Sequence, residues 1–183
     1  RLPLVYNTNA YDSVEVLRLL DGIVDIYLPD LKYSDDEAGL AYSKVKGYPR
    51  VARAAIKEMH RQVGFELVVG DDSVIRRGLV IRHLILPNAL AGSEETLRWV
   101  HDELGKNVAM SVMAQYYPTH KAVHTELLNR KIYAGEYERV LRLLERLGME
   151  KGWVQEWERA SEYYRPEFQD RAEPFKGRQL NSG

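Results

Sequence analysis

Apolar and polar positions along the chain follow two periods. Four short runs, Leu2–Tyr6, Ile23–Leu28, Leu79–Leu86 and Val108–Met113, are apolar at most positions and close on turn residues or a helix cap. Such runs predict strands buried on both faces. Between them the spacing lengthens to a helical period over Ser13–Leu20, Pro49–Val63 and Glu94–Leu104, and again later over Glu136–Leu147. The second of these opens with a proline at a helix start and turns Val51, Ala55, Ile56 and Met59 to one side. Ser93, ahead of Glu94-Glu95-Thr96, predicts an N-cap with acids in the first turn, where they complement the helix dipole. Phe65-Glu66-Leu67-Val68-Val69, before Gly70-Asp71-Asp72, reads as a short added strand inside the long connection from Leu28 to Leu79.

Strands that alternate with helices are joined by right-handed crossovers, because parallel neighbours cannot be linked by tight turns. The expected class is therefore α/β with a parallel sheet. Residues 1–150 carry the βα units, and residues 151–183 read as an aromatic-rich tail, with Trp153, Trp157, Tyr163 and Tyr164 packing on the sheet. Four parallel strands cannot close an eight-stranded barrel, and an open sheet leaves unpaired edges. The expectation is that further strands precede Arg1 or that two chains pair.

Composition narrows the function. With 183 residues, 45% of them hydrophobic, the chain can bury a sizeable core. Lys and Arg, 26 in all, nearly cancel 27 Asp and Glu, so the basic footprint of a nucleic-acid or membrane-surface binder is missing. No apolar run reaches the roughly 20 residues that span a bilayer, which predicts a soluble, cytoplasmic protein. The sequence has no cysteine. Thiolate nucleophiles, thiolate zinc sites and cysteine-ligated iron–sulfur clusters are thereby excluded for this chain taken alone, and no metal ligand set is assigned.

In parallel α/β sheets ligands bind at the C-terminal strand ends. Those ends carry Asn7-Thr8-Asn9, Pro29-Asp30-Leu31-Lys32-Tyr33, Pro87-Asn88 and Gln115-Tyr116-Tyr117-Pro118-Thr119-His120. Asp30 and Lys32, two apart in extended backbone, share a face and can grip a zwitterion, acid to ammonium and lysine to carboxylate. The bland alternative is a solvated pair of little energy. On spacing alone, Asn7 and Thr8 read first as turn or capping chemistry, because short polar side chains bond to nearby backbone. Arg82 and His83 lie within a strand, so one of them faces inward and needs a partner; alternation leaves open which one. His120 and His124 are four apart, but no carboxylate completes a ligand set around them.

Taken together, Leu4–Asn9, Val24–Lys32, Arg77–Pro87 and Gln115–Pro118 resemble the radical S-adenosylmethionine enzymes. The resemblance is strongest to the branch similar to pyruvate formate-lyase activating enzyme, and it runs in family order over roughly the first 120 residues. It implies the C-terminal portion of a partial (β/α)6 TIM-like barrel with parallel strands. It also implies an S-adenosylmethionine site and a [4Fe–4S] cluster held by a C-x3-C-x2-C loop, which is absent here. Reductive cleavage of S-adenosylmethionine would yield a radical that abstracts hydrogen from a substrate, such as the glycine of a partner glycyl-radical enzyme. By the same resemblance, Asp30 and Lys32 match the D-x-K that contacts the amino-acid part of S-adenosylmethionine. Asn7 and Thr8 match a D-T-N-G-like strand end, Arg82 the arginine before a Pro-Gly turn, and the stretch holding Tyr117 the last strand end near adenosine. Such a fragment would be inactive alone. The competing expectation is a non-catalytic half-barrel that binds a partner or forms a homodimer through its open edge.

Overall fold

The computed structural model describes residues 2–155. Trp157, Tyr163 and Tyr164, assigned to the aromatic tail, lie outside the described residues. The chain runs β1 (Val5–Thr8), α1 (Val14–Leu19), β2 (Ile26–Pro29), α2 (Asp36–Ser43), α3 (Tyr48–Val63), β3 (Val68–Val69), β4 (Ile75–Leu84), α4 (Ser93–Leu104), β5 (Ala109–Met113), α5 (Ala134–Arg146) and β6 (Gly152–Val154). The class is α/β, built on a six-stranded sheet.

Strand order is β1-β2-β4-β5-β6, every pair along that path is parallel, and β3 pairs antiparallel with the start of β4. Each crossover thus advances by one neighbour in the same direction. Right-handed crossovers that never reverse direction deliver their helices to one face of the sheet. The burial follows this rule. Tyr27, Leu79, Ile81, Met110 and Val112 point into a core shared with Leu17, Ile56, Met59, Leu97, Val100 and Leu143 of the helices. Cutting Leu97 or Ile56 back to alanine in so closed a core costs about 3 kcal/mol.

The helices form where one face can be buried. In α3, Ala52, Ala55, Ile56, Met59 and Val63 recur at helical spacing and are all buried. Two elements escape the pattern: α2, whose eight residues DEAGLAYS carry almost no amphipathic signal, and β6, a three-residue strand. Residues 152–154, read from sequence as part of the tail, extend the sheet as an edge strand beside β5. Gly152 permits this, because a Cβ there would lie 1.9 Å from the Met110 carbonyl oxygen.

Ser93 is not the N-cap of α4. Gly92 holds that position in the left-handed conformation, with φ 60°, and Ser93 begins the helix proper. The reason is that the Ser93 hydroxyl is already engaged by His83. Gly92 also abuts the loop after β2: a Cβ on it would fall 1.7 Å from Ser34 Oγ. Gly92→Ala is therefore expected to lower stability by about 2 kcal/mol through strain and steric displacement, seen as a lower urea midpoint at unchanged slope.

Candidate functional site

Parallel strand ends converge where β1, β2 and β4 finish together. The register pairs Asn7 with Leu28, and Asp30 bridges to Arg82. Asn7, Asp30 and Arg82 accordingly line up on the sheet face opposite the helices. At the end of β2 the alternation is strict. Leu31, 1% exposed, is anchored in the core, while Asp30 and Lys32 on either side of it face outward together.

Direct contacts join these side chains. Arg82 Nη2 donates to Asn7 Oδ1 at 2.6 Å and lies 2.7 Å from Asp30 Oδ1; Lys32 Nζ donates to Asp30 Oδ2 at 2.8 Å. Two cations, one carboxylate and one amide leave the group one positive charge in excess. Among the described residues, buried Asp30 Oδ1 and Arg82 Nε lack a partner in hydrogen-bonding alignment, so the Arg82–Asp30 contact is a charge pair rather than a saturated fork. Such a group can take a zwitterion: Asp30 offers an acceptor to an ammonium, and Arg82 and Lys32 offer donors to a carboxylate.

The other residues singled out from sequence are placed differently. Thr8 turns to the helix side, where its hydroxyl donates to Asp12 Oδ2 at 2.6 Å and accepts from the Ala10 amide. Tyr6 also donates to Asp12, and burial followed by that carboxylate pushes its phenol above the ordinary range. Thr8 therefore shapes the loop after β1 instead of joining the charged group. Tyr117 stands in the loop after β5, with the Lys131 ammonium 5.2 Å from its ring centre. His120 and His124 open and close a single 3-10 turn, and among the described residues no group of three or more His, Asp or Glu gathers as metal ligands would.

The choice between Arg82 and His83 is settled by burial. His83 is fully enclosed on the helix side, with Nδ1 2.7 Å from the Leu31 carbonyl oxygen and Nε2 2.8 Å from Ser93 Oγ. A carbonyl can only accept, so Nδ1 carries the proton and Nε2 accepts from the serine. Burial holds the imidazole below its ordinary pKa, and the ring is neutral. Tyr48, at the start of α3, escaped sequence reading because a tyrosine in the first turn of a helix looks like ordinary core. Its hydroxyl meets Lys32 N at 2.8 Å, Asp30 O at 2.7 Å and Asn9 O at 3.0 Å. No local pattern reveals that, since the contacts span up to 39 residues.

Comparison with known proteins adds one relative. No family model matches the chain, and no solved structure does. The chain has a longer archaeal relative. It is 36% identical over 152 residues to an uncharacterized protein of Methanocaldococcus jannaschii, an alignment covering 81% of this chain and 40% of that protein. The chain thus spans well under half the length of that relative. Among the described residues no helix is long and apolar enough to cross a membrane.

The loops after β4 and β5 are locked to α5. Arg130 takes both oxygens of Glu136, at 2.8 and 3.0 Å, and Asn88 Oδ1 at 2.8 Å, while the Asn88 amide donates back to Glu136. Arg130, first among several donors, holds the Glu136 carboxyl down to about 2. Its folded value lies below the ordinary 4.5, so its stabilising contribution is complete above that pH and is lost as pH falls toward 2. The wild type is expected to lose about 2 kcal/mol over that acid range through this group. Urea titrations of Glu136→Gln should show a correspondingly flatter acid limb.

Proposed function

We propose that this chain is part of a radical S-adenosylmethionine enzyme similar to pyruvate formate-lyase activating enzyme. In that reading its sheet forms the later strands of a partial (β/α)6 TIM-like barrel, residues 1–150 supplying the βα units. The observation that carries the reading is the convergence of Asn7, Asp30, Lys32 and Arg82 at the C-terminal sheet edge, an acid flanked by two cations. Sequential strand order with helices on one face is the arrangement a barrel wall requires, and it supports the same view.

In this site Asp30 accepts the ammonium of S-adenosylmethionine, and Lys32 exchanges its Asp30 contact for the carboxylate. Arg82 neutralises Asp30 and is steadied by Asn7. Thr8 acts indirectly through the loop it braces, and Tyr117 and its neighbours approach the adenosine. The donor set fits the amino-acid end of that molecule. It does not fit a [4Fe–4S] cluster, because the sequence has no thiolate to ligate iron. In the complete polypeptide a separate C-x3-C-x2-C segment would hold the cluster, whose reduced form supplies the electron that cleaves S-adenosylmethionine. The substrate would be a glycyl-radical protein or a small molecule in the cytoplasm, and this chain alone would be inactive.

Sequencing the reading frame upstream of the Arg1 codon tests the proposal. Three cysteines spaced C-x3-C-x2-C are expected there, with iron and sulfide in the purified full-length protein. A start codon immediately upstream with no such cysteines would overturn it.

A second reading is favoured by the exposed apolar edges: Val5 of β1 is 48% exposed, and Trp153 and Val154 of β6 are 52% and 54% exposed. Here the half-barrel is a non-catalytic module that pairs with a second copy. Sedimentation equilibrium separates the two, a tight dimer favouring the module and a monomer removing it.

A further inference from the structure

Extended segments at strand ends are normally loose, because their peptide groups run out of ladder partners. The Asp30–Lys32 segment is not. The Asp30 amide donates to Thr8 O at 2.8 Å and the Leu31 amide to Arg82 O at 2.9 Å, completing the ladder as far as it reaches. Beyond it, buried side chains on the helix side of the sheet take over. His83 Nδ1 donates to the Leu31 carbonyl, and Tyr48 Oη accepts from the Lys32 amide and shares its own proton between the Asp30 and Asn9 carbonyls. Both polar groups of the Leu31–Lys32 peptide are thus fixed from opposite sides.

We infer that Tyr48 and His83 are the positioning residues of this site, clamping the Leu31–Lys32 peptide so that Asp30 and Lys32 present their charges in one fixed orientation. The inference rests on the reading of the Asp30–Lys32 face as the site for an amino-acid zwitterion. Tyr48 is 2% exposed and His83 fully buried, so neither touches a ligand. Tyr48 is itself held by a parallel stack on Tyr11 at 6.2 Å and an edge contact from Tyr33 at 5.4 Å. Burial pushes its phenol well above the ordinary range, so at neutral pH it keeps the proton that the two carbonyls need. Its bond to Asn9 O extends the clamp to the loop after β1, beside Asn7. Through Ser93, His83 extends it to the first turn of α4.

Two conservative exchanges separate positioning from packing. Asparagine places its amide N–H where Nδ1 stands, and glutamine reaches toward Nε2 instead. The test is S-adenosylmethionine titrated by calorimetry into the wild type, Tyr48→Phe, His83→Asn and His83→Gln, with amide hydrogen exchange at Lys32 followed by NMR in the same proteins. Tyr48→Phe and His83→Gln are expected to weaken binding at least tenfold and His83→Asn less than threefold. Lys32 exchange should rise about 100-fold in Tyr48→Phe while amides in the middle of β4 stay protected. Equal affinities for wild type and Tyr48→Phe, or equal losses for His83→Asn and His83→Gln, overturn the inference. If the wild type binds no S-adenosylmethionine, the site reading falls and the clamp is judged on exchange alone: faster exchange at Lys32 in Tyr48→Phe upholds it, unchanged exchange refutes it.

Discussion

Asp30→Ala is expected to remove S-adenosylmethionine binding, with at least a 30-fold loss of affinity, and to destabilise the chain by about 2 kcal/mol. The two effects share one cause. Asp30 lies between Arg82 Nη2 at 2.7 Å and Lys32 Nζ at 2.8 Å, and its side chain is only 21% exposed. Removing it leaves two partly buried cations without the carboxylate they share, and breaking a pair in this way costs more than the pair contributes. Partial exposure of Arg82 and Lys32 moderates the stability loss through solvent screening. The ligand's ammonium also loses its acceptor, a charge-assisted bond worth about 2 kcal/mol or thirtyfold in affinity. Asp30→Asn keeps the shape and some acceptor capacity. It should recover most of the stability and little of the binding, which denaturation and calorimetry on the same samples will show. Loss of stability with full retention of binding would remove Asp30 from the site.

His83→Leu is expected to cost about 3 kcal/mol of unfolding free energy. Leucine fills similar space but leaves the Leu31 carbonyl and the Ser93 hydroxyl without their partner at a fully buried position. The variant also changes the acid response. Burial lowers the His83 pKa below its ordinary 6.5, so the native ring binds its proton more weakly than the unfolded one. Its contribution is therefore fully present above pH 6.5 and is lost as pH falls toward the folded value. The leucine variant should be less stable at about pH 7.5 and approach the wild type as the solution is acidified below 6.5. Parallel stability curves over that range would contradict the assignment of a neutral, doubly bonded imidazole.

Much of this architecture is legible in the sequence because hydrophobic period and parallel topology are linked. The runs around Val5, Ile26, Leu79 and Ala109 are all strands, and Pro49–Val63 and Glu94–Leu104 are helices to within a residue. What escaped lacked a period: β6 is three residues long, and α2 has no apolar face. Ser93 carried the right signal for a cap, but a tertiary bond to His83 claimed its hydroxyl. At the site, Asp30 and Lys32 were legible since strand alternation alone places them together. Arg82 against His83 was not, because both faces of β4 are largely buried and only the position of the helices breaks the tie. Tyr48 could not be found from sequence, as its role depends on three backbone atoms brought in by two other loops.

The most direct test of the zwitterion site is to titrate isotope-labelled chain with S-adenosylmethionine, methionine and adenosine separately and follow the amides of Asn7, Asp30, Lys32 and Arg82. On the proposed reading this chain supplies half of a pocket and would bind weakly, so millimolar concentrations are appropriate, about 4 kcal/mol of binding free energy. Site occupancy predicts that S-adenosylmethionine and methionine both shift this set while adenosine leaves it unmoved. Shifts produced by adenosine alone, or none at Lys32 and Arg82 with any of the three, would contradict it.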